Sequence, residues 1–145
     1  MTMQILVTDW DTHAATLMAI REQVFIDEQG VPRELEHDAY DLTALHLLAL
    51  IDQAIPVGTA RLLEDGHIGR MAVIRAWRGQ GIGSALLREL VAVATERGQS
   101  EPFLHAQCAA IPFYERYGFR AEGPVFMDAG IAHRLMRYTA RARSG

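Results

Sequence analysis

Three glycines at alternate positions, Gly79, Gly81 and Gly83, stand immediately before a run of apolar residues with helical spacing. Glycine has no Cβ to hold a ligand away from the main chain, and the first turn of a helix carries N–H groups without intrahelical partners at the positive end of its dipole. The chemistry that suits such a corner is anion binding, with a phosphate or pyrophosphate as the guest. The candidates are Arg78, Gly79, Gln80, Gly81, Ile82, Gly83 and Ser84, with Arg78 able to add a charge-assisted contact. A glycine-rich turn that only packs a helix on a sheet would have the same composition. Two familiar phosphate loops do not fit the spacing. The P-loop requires Lys and then Ser or Thr after its last glycine, where this chain has Ser84-Ala85, and the dinucleotide fingerprint requires a glycine where Ser84 stands.

A second concentration of polar groups lies between Asp27 and Asp41, where periodicity is lost, Gly30 and Pro32 interrupt the chain, and Glu28, Glu34, Glu36, Asp38 and Asp41 gather. The segment reads as a structured loop with about one helical turn, either a solvated surface or a substrate-facing loop whose acidic lining would suit a cationic amine. Six histidines are scattered without a His-Glu-x-x-His pattern or a close His/Cys pair, so no metal is expected. A single cysteine, Cys108, excludes an internal disulfide framework.

The elements that must position these groups can be read along the chain. Met3 to Thr8 alternates like a strand, and Asp9 or Asp11 can cap a helix whose apolar face includes Leu17, Ile20, Val24 and Phe25. Ala44 to Ile51, Pro56 to Leu63 and His67 to Ile74 read as an antiparallel meander, turned at Asp52-Gln53 and at Asp65-Gly66. After the glycine loop, Leu86, Leu87, Leu90, Val91 and Ala94 mark one face of a helix that Gly98 stops. Phe103 to Gln107 follows as a strand and Ala109 to Tyr117 as a short helix closed by Gly118. Phe119 to Phe126 and Ile131 to Tyr138 form a last strand pair, and the tail from Ala140 is expected to fray.

The expectation is one α/β domain over residues 1–145, mixed α+β with a mostly antiparallel sheet. Half of the 145 residues are hydrophobic, enough for a core without disulfides or metal. The net charge of −4 and the dispersed arginines give no footprint for nucleic acid. No leader or long uncharged apolar run is evident, so no membrane association and a cytoplasmic location are expected.

Arg78, Gly81 and Gly83 are in register with the motif arginine or glutamine, two residues, glycine, one residue, glycine or alanine, and resemble that signature of the GNAT superfamily of acyl-CoA-dependent N-acyltransferases. Met71-Ala72-Val73 looks like the end of the family's fourth strand and Trp77-Arg78-Gly79 like its usual entry to the loop. Downstream, Gln107 and the run from Ala109 through Tyr114 to Gly118-Phe119 are similar to a second family signature, although Gln107 stands where asparagine is frequent. Arg21 to Phe25, Glu28 to Pro32, Glu36, Asp38, Asp41 and Gly130 to His133 resemble the ElaA-like branch. The resemblance covers Met3 to about Tyr138.

What the resemblance implies is a sheet of six to seven strands flanked by about four helices, with acetyl-CoA as co-substrate in a gap between the fourth and fifth strands. Main-chain groups of Met71, Ala72 and Val73, with Gln107, would hold the pantetheine arm, and an amide near Val73 would stabilise charge developing on the thioester oxygen. Tyr114 stands where the family has its acid for the departing thiolate, with a packing aromatic as the plainer reading of it and of Tyr117. An aliphatic ammonium in water holds its proton up to a pH of about 10.4 and must lose it before it attacks. Glu36, Asp38, His105 and His133 are the unranked candidates to take it. The implied activity is N-acetyl transfer to a primary amine of a small molecule or peptide, by direct attack in a ternary complex rather than through Cys108. The alternative is a non-catalytic acyl-CoA-binding or sensor module. A homodimer through the final strands is compatible with the resemblance.

Overall fold

The computed structural model describes residues 2–139, so the tail from Ala140 lies outside the described residues. β1 (Met3–Thr8) leads into α1 (Trp10–Arg21), and of the two candidate caps it is Asp9 that closes the first turn, its carboxylate accepting from the Thr12 amide at 2.8 Å. The helical path continues beyond Arg21 as a wider π-helical segment, Glu22–Glu28, and stops where Gly30 takes φ +73°. The acidic stretch that follows is more ordered than a loop with one turn. It holds α2 (Arg33–Glu36) and a 3-10 turn (Ala39–Leu42), the latter capped by Asp38, which accepts from the Tyr40 amide at 3.0 Å. These pieces are too short for hydrophobic periodicity to announce them.

β2 (Leu45–Ile51), β3 (Ile55–Leu62) and β4 (His67–Val73) form the expected meander. Asp52 and Gln53 both take positive φ, as a type I′ turn requires of its central residues, and the Ala54 amide closes the turn on the Ile51 carbonyl at 3.1 Å. α3 (Ile82–Glu96) is followed by β5 (Phe103–Gln107). The helix expected over Ala109 to Tyr117 is instead a 3-10 turn, Cys108–Ala110, and a brief α4 (Ile111–Glu115). Pro112 suits the start of a helix, where its missing N–H costs nothing, and Gly118 at φ +93° ends the segment. β6 (Phe119–Asp128) and β7 (Ile131–Tyr138) complete one seven-stranded sheet in the order β1-β2-β3-β4-β5-β7-β6, antiparallel except where β4 meets β5.

Two helices cover opposite faces of this sheet. α3 buries Ile82, Leu86, Leu87, Leu90 and Ala94 against a core containing Leu47, Ala49 and Ile51 of β2, each fully buried large side chain stabilising by about 1.5–3 kcal/mol. α1 packs Leu17 and Ile20 over Leu48 of the same strand. β2 is thus apolar on both faces, which is why Leu45 to Ile51 reads as a nearly unbroken hydrophobic run rather than an alternation.

The acidic stretch is held to the sheet by arginines. Arg21 is fully buried, with Nε 2.9 Å from Glu36 Oε2 and Nη1 2.7 Å from Asp41 Oδ1, beneath the Trp10 ring. Arg61 reaches Asp38 Oδ1 at 2.8 Å and Asp41 Oδ1 at 3.0 Å, and Arg70 reaches Glu36 Oε2 and Asp38 Oδ2, each at 3.0 Å. Burial alone would disfavour charge on Arg21, but its bonds to Asp41 and Glu36 outweigh that and keep the guanidinium above its ordinary range. Burial likewise opposes charge on Asp41, and Arg21 and Arg61 reverse the effect, holding its carboxyl below the usual value.

At the single parallel contact, His67 pairs with Phe103 and Ile68 with Leu104. The His67 ring stacks on Phe103 at 4.8 Å and lies 4.6 Å from the ring of His105. Burial, and then the neighbouring His105, push the His67 imidazole down to about 4, so it is neutral at physiological pH.

Two outcomes are expected. Arg21→Met removes one of the two arginines that bind each of the buried carboxylates Glu36 and Asp41, and should destabilise the protein by about 3–5 kcal/mol in urea unfolding. A loss below about 1 kcal/mol would show that the loop is anchored elsewhere. For His67, the unfolded imidazole takes its proton near 6.5 and the folded one only near 4, so the unfolded state binds more protons in between. Stability should be insensitive to this group above that window and fall as pH drops through it. His67→Phe should flatten, in part, the urea midpoint measured across the same range. His105 and His46, also held below their ordinary values by burial, contribute slope of the same sign.

Candidate active site

β4 and β5 touch at their beginnings and then part. Their pairing ends at Ile68 and Leu104, so the edge of β4 from Gly69 to Val73 has no strand beside it. A bulge accompanies the separation. Thr59 pairs with Ala72 and Arg61 with Gly69, so between these pairs the single Ala60 of β3 faces two residues of β4, Arg70 and Met71, and Arg70 takes the left-handed conformation at φ +49°. The bulge shifts the strand's phase, so Met71 and Val73 lie toward the core under α3 while Ala72 is buried beneath α1. Only the main chain of Ala72 is available to a ligand.

The gap opens into a cavity of about 320 Å³. Met71, Gln107 and Tyr114 line it, together with Glu36, His105 and His133 among the expected proton acceptors. Tyr114 comes from α4, set by edge contacts of its ring with Phe113 at 5.2 Å and Phe119 at 6.1 Å, and its hydroxyl points at Met71 Sδ, 3.8 Å away across the gap. Burial pushes the phenol up to about 12, so it remains a proton donor at physiological pH. The Gln107 amide donates to Gln29 Oε1 at 3.1 Å, tying β5 to the end of the π-helical segment.

His133 is 8 % exposed, and its Nδ1 lies 2.7 Å from the Ile131 carbonyl. A carbonyl can only accept, so Nδ1 carries the hydrogen, which makes Nε2 the ring nitrogen able to accept a proton. His105 is held below its ordinary value, by burial first, and then by neighbouring His133 against the opposing pull of Asp128.

The acidic stretch departs from its expected role. Glu36, Asp38 and Asp41 are matched one for one by Arg21, Arg61 and Arg70, so they do not form an anionic lining for a cationic amine. Asp38 caps a turn and binds two arginines outside the cavity, which removes it from the candidate proton acceptors. Glu36 is 2 % exposed, yet it does reach the cavity wall.

At the glycine loop, Gly79 and Gly81 take φ +79° and +84°, and a Cβ built on either would meet nothing within 4 Å, so the main chain there is open to an incoming group. Gly81 is the N-cap of α3 without a side-chain cap, and the first helical bond runs from the Ala85 amide to the Gly81 carbonyl at 3.0 Å. The amides of Ile82, Gly83 and Ser84 therefore have no intrahelical acceptor. The Ile82 side chain faces the core, the exposed Gln80 stands at the loop's tip, and Ser84 Oγ is 2.5 Å from the Tyr117 hydroxyl. Arg78 is not extended toward the loop. Its Nε donates to the Val73 carbonyl at 2.9 Å and its two terminal nitrogens grip Glu28 at 3.0 and 2.6 Å. Glu28 is held below the usual carboxylate range by this bond to Arg78, against a small cost of burial. Cys108 is half-buried in the turn after β5 and does not line the cavity.

Arg70, His67 and Gln29 also line the cavity and were not among the expected site residues. An arginine at a left-handed bulge leaves no local trace, since glycine or asparagine is the usual mark of that conformation. Among the described residues no helix is long and apolar enough to cross a membrane.

The sequence of residues 8–140 matches the family model described as an acetyltransferase (GNAT) domain. YjcF, an uncharacterized N-acetyltransferase of Bacillus subtilis (strain 168), is 36% identical over 121 residues, spanning 81% of this chain and 86% of its own. ElaA of Escherichia coli (strain K12) is 31% identical over 126 residues, 81% of each chain. The crystal structure of Escherichia coli ElaA superposes with a TM-score of 0.85 at 25% identity, covering 95% of this chain and 100% of that one. An acyl-CoA N-acyltransferase from Pseudomonas aeruginosa superposes with a TM-score of 0.84 at 28% identity over the same shares. A parted β4 and β5, an open glycine corner before α3 and a tyrosine facing the gap are thus found in a chain that belongs, by its sequence and its fold, to the GNAT acetyltransferase family, in the branch that holds ElaA.

Proposed function

We propose that this protein is an acetyl-CoA-dependent N-acetyltransferase that moves an acetyl group to a primary amine of a small molecule or peptide by direct attack in a ternary complex. The observation that carries the reading is the Tyr114 hydroxyl facing Met71 across the gap where β4 leaves β5. Acetyl-CoA would supply the activated acyl carbon. The open amides of Ile82, Gly83 and Ser84 suit its pyrophosphate, and the unpaired edge of β4 from Gly69 to Val73 suits its pantetheine arm.

The chain's own groups divide the proton chemistry. As the C–N bond forms and the C–S bond breaks, the amine gives up a proton and the departing sulfur gains one. His133, with its lone pair at Nε2 in the cavity wall, is the base that the geometry favours. Tyr114 is the acid, because burial keeps its proton in place at the pH of the reaction. The Arg78 guanidinium, bound to Glu28 and Val73, serves first to fix the loop's entry to β4, and the amides carry the phosphate recognition.

Tyr114→Phe should lower kcat by about 10²-fold while the calorimetric affinity for coenzyme A stays at the wild-type value. Turnover unchanged by the substitution would remove Tyr114 as the acid, and a chain that binds coenzyme A but acetylates no amine would be an acyl-CoA sensor. Gly81→Glu puts a side chain on a left-handed residue and a negative charge beside the proposed pyrophosphate site. It should abolish coenzyme A binding in the same titration, and retained affinity would move the pyrophosphate elsewhere.

A further inference from the structure

Glu36 is an acid of the cavity wall whose two oxygens are treated differently by the fold. Oε2 accepts from Arg21 Nε at 2.9 Å and from Arg70 Nε at 3.0 Å. Oε1 is buried and has no hydrogen-bond partner among the described residues. A buried carboxylate oxygen without a donor is costly, and a substrate N–H entering the cavity would remove the cost. Arg70, which also lines the cavity, is divided in the same way. Its Nε and Nη2 are spent on Glu36, Asp38 and the Leu35 and Glu36 carbonyls, while Nη1 makes no bond to any described residue. The unused acceptor and the unused donor thus belong to the two cavity side chains that this 3.0 Å contact joins.

We propose that the acceptor substrate is an α-amino acid with an apolar side chain, its amine bonded to Glu36 Oε1, its carboxylate to Arg70 Nη1 and its side chain against Phe25, Val31, Leu35 and Ile131. The proposal rests on the cavity being the acceptor site. Charge balance supports it: three arginines and three acids cancel in the cluster behind the wall, so the site favours a ligand that is neutral overall and carries its opposite charges on adjacent groups. A polyamine would bring cations that find no surplus of acid, and its chain would lack an anion for Arg70. The four apolar residues line the same cavity and would cover an aliphatic or aromatic side chain. Once the bound ammonium has given a proton to His133, one N–H on Glu36 leaves the nitrogen lone pair free to turn toward the thioester.

The test is calorimetric titration into the protein saturated with coenzyme A, which cannot transfer an acyl group. L-leucine is compared with 3-methylbutylamine, the same skeleton without the carboxylate, and with 4-methylpentanoate, the same skeleton without the amine. Leucine should bind at least about tenfold more tightly than either, the loss expected for one charge-assisted hydrogen bond. Equal affinity for leucine and either fragment overturns the proposal. Glu36→Gln keeps the shape and an oxygen for the arginines but turns a donor into the cavity. It should weaken leucine by at least about tenfold with coenzyme A affinity unchanged, and unchanged leucine affinity overturns the assignment. Should that variant fail to fold, the wild-type comparison decides alone. Leucine binding without formation of N-acetyl-leucine from acetyl-CoA would uphold this site and overturn the transfer reaction. Acetylation of 3-methylbutylamine as readily as leucine would do the reverse.

Discussion

A guanidinium with no access to solvent sets the terms for this structure. Arg21 ends α1 beneath Trp10, fully buried, and a charge in that position is tolerated only if carboxylates surround it with good geometry. Glu36 and Asp41 do so from a segment otherwise short of apolar side chains to bury, so the demand of one cation fixes where α2 and the following turn lie. Those acids then accept from Arg61 on β3 and Arg70 on β4. Arg70 occupies the bulge, and the bulge stands where β4 leaves β5. A chain of ion pairs thus runs from a helix end to the strand edge where chemistry is proposed.

The sheet separates its structural and chemical halves. From β1 to β4 both faces are covered, by α3 on one side and α1 on the other, and the strands pair along their lengths. Beyond the parting, β5 is held by only two residue pairs to β4 and otherwise by β7. The stacked His67 and Phe103 rings brace that short contact, and its shortness is what allows a cavity to form without breaking the core.

Much of this is legible in the residues themselves. Apolar spacing locates α3, the Asp-Gln and Asp-Gly turns locate the meander, and Gly79 to Gly83 locate the phosphate-suited corner, because each depends on local geometry that a few residue types dictate. The acidic stretch misleads for a reason equally physical. Composition shows the acids but not their partners, and Arg61 and Arg70, twenty or more positions away, turn an apparent anionic lining into a neutral cluster. Arg78 illustrates the same limit. Its position beside the glycines suggests a phosphate ligand, whereas a carboxylate fifty residues earlier, Glu28, takes its terminal nitrogens.

The bulge at Arg70 shows why such a site escapes prediction from local propensity. A left-handed arginine is unfavourable by itself, by about 1–2 kcal/mol, so nothing in the sequence near it announces the conformation. It persists because the bonds from its side chain to Glu36, Asp38 and two carbonyls exceed that cost, and those partners exist only once Arg21 has drawn the acidic segment down. The strained backbone follows from the tertiary ion pairs. Local signals are therefore most informative where the main chain meets the cofactor's proposed phosphates, and least informative where side chains from four separate elements surround the proposed acceptor.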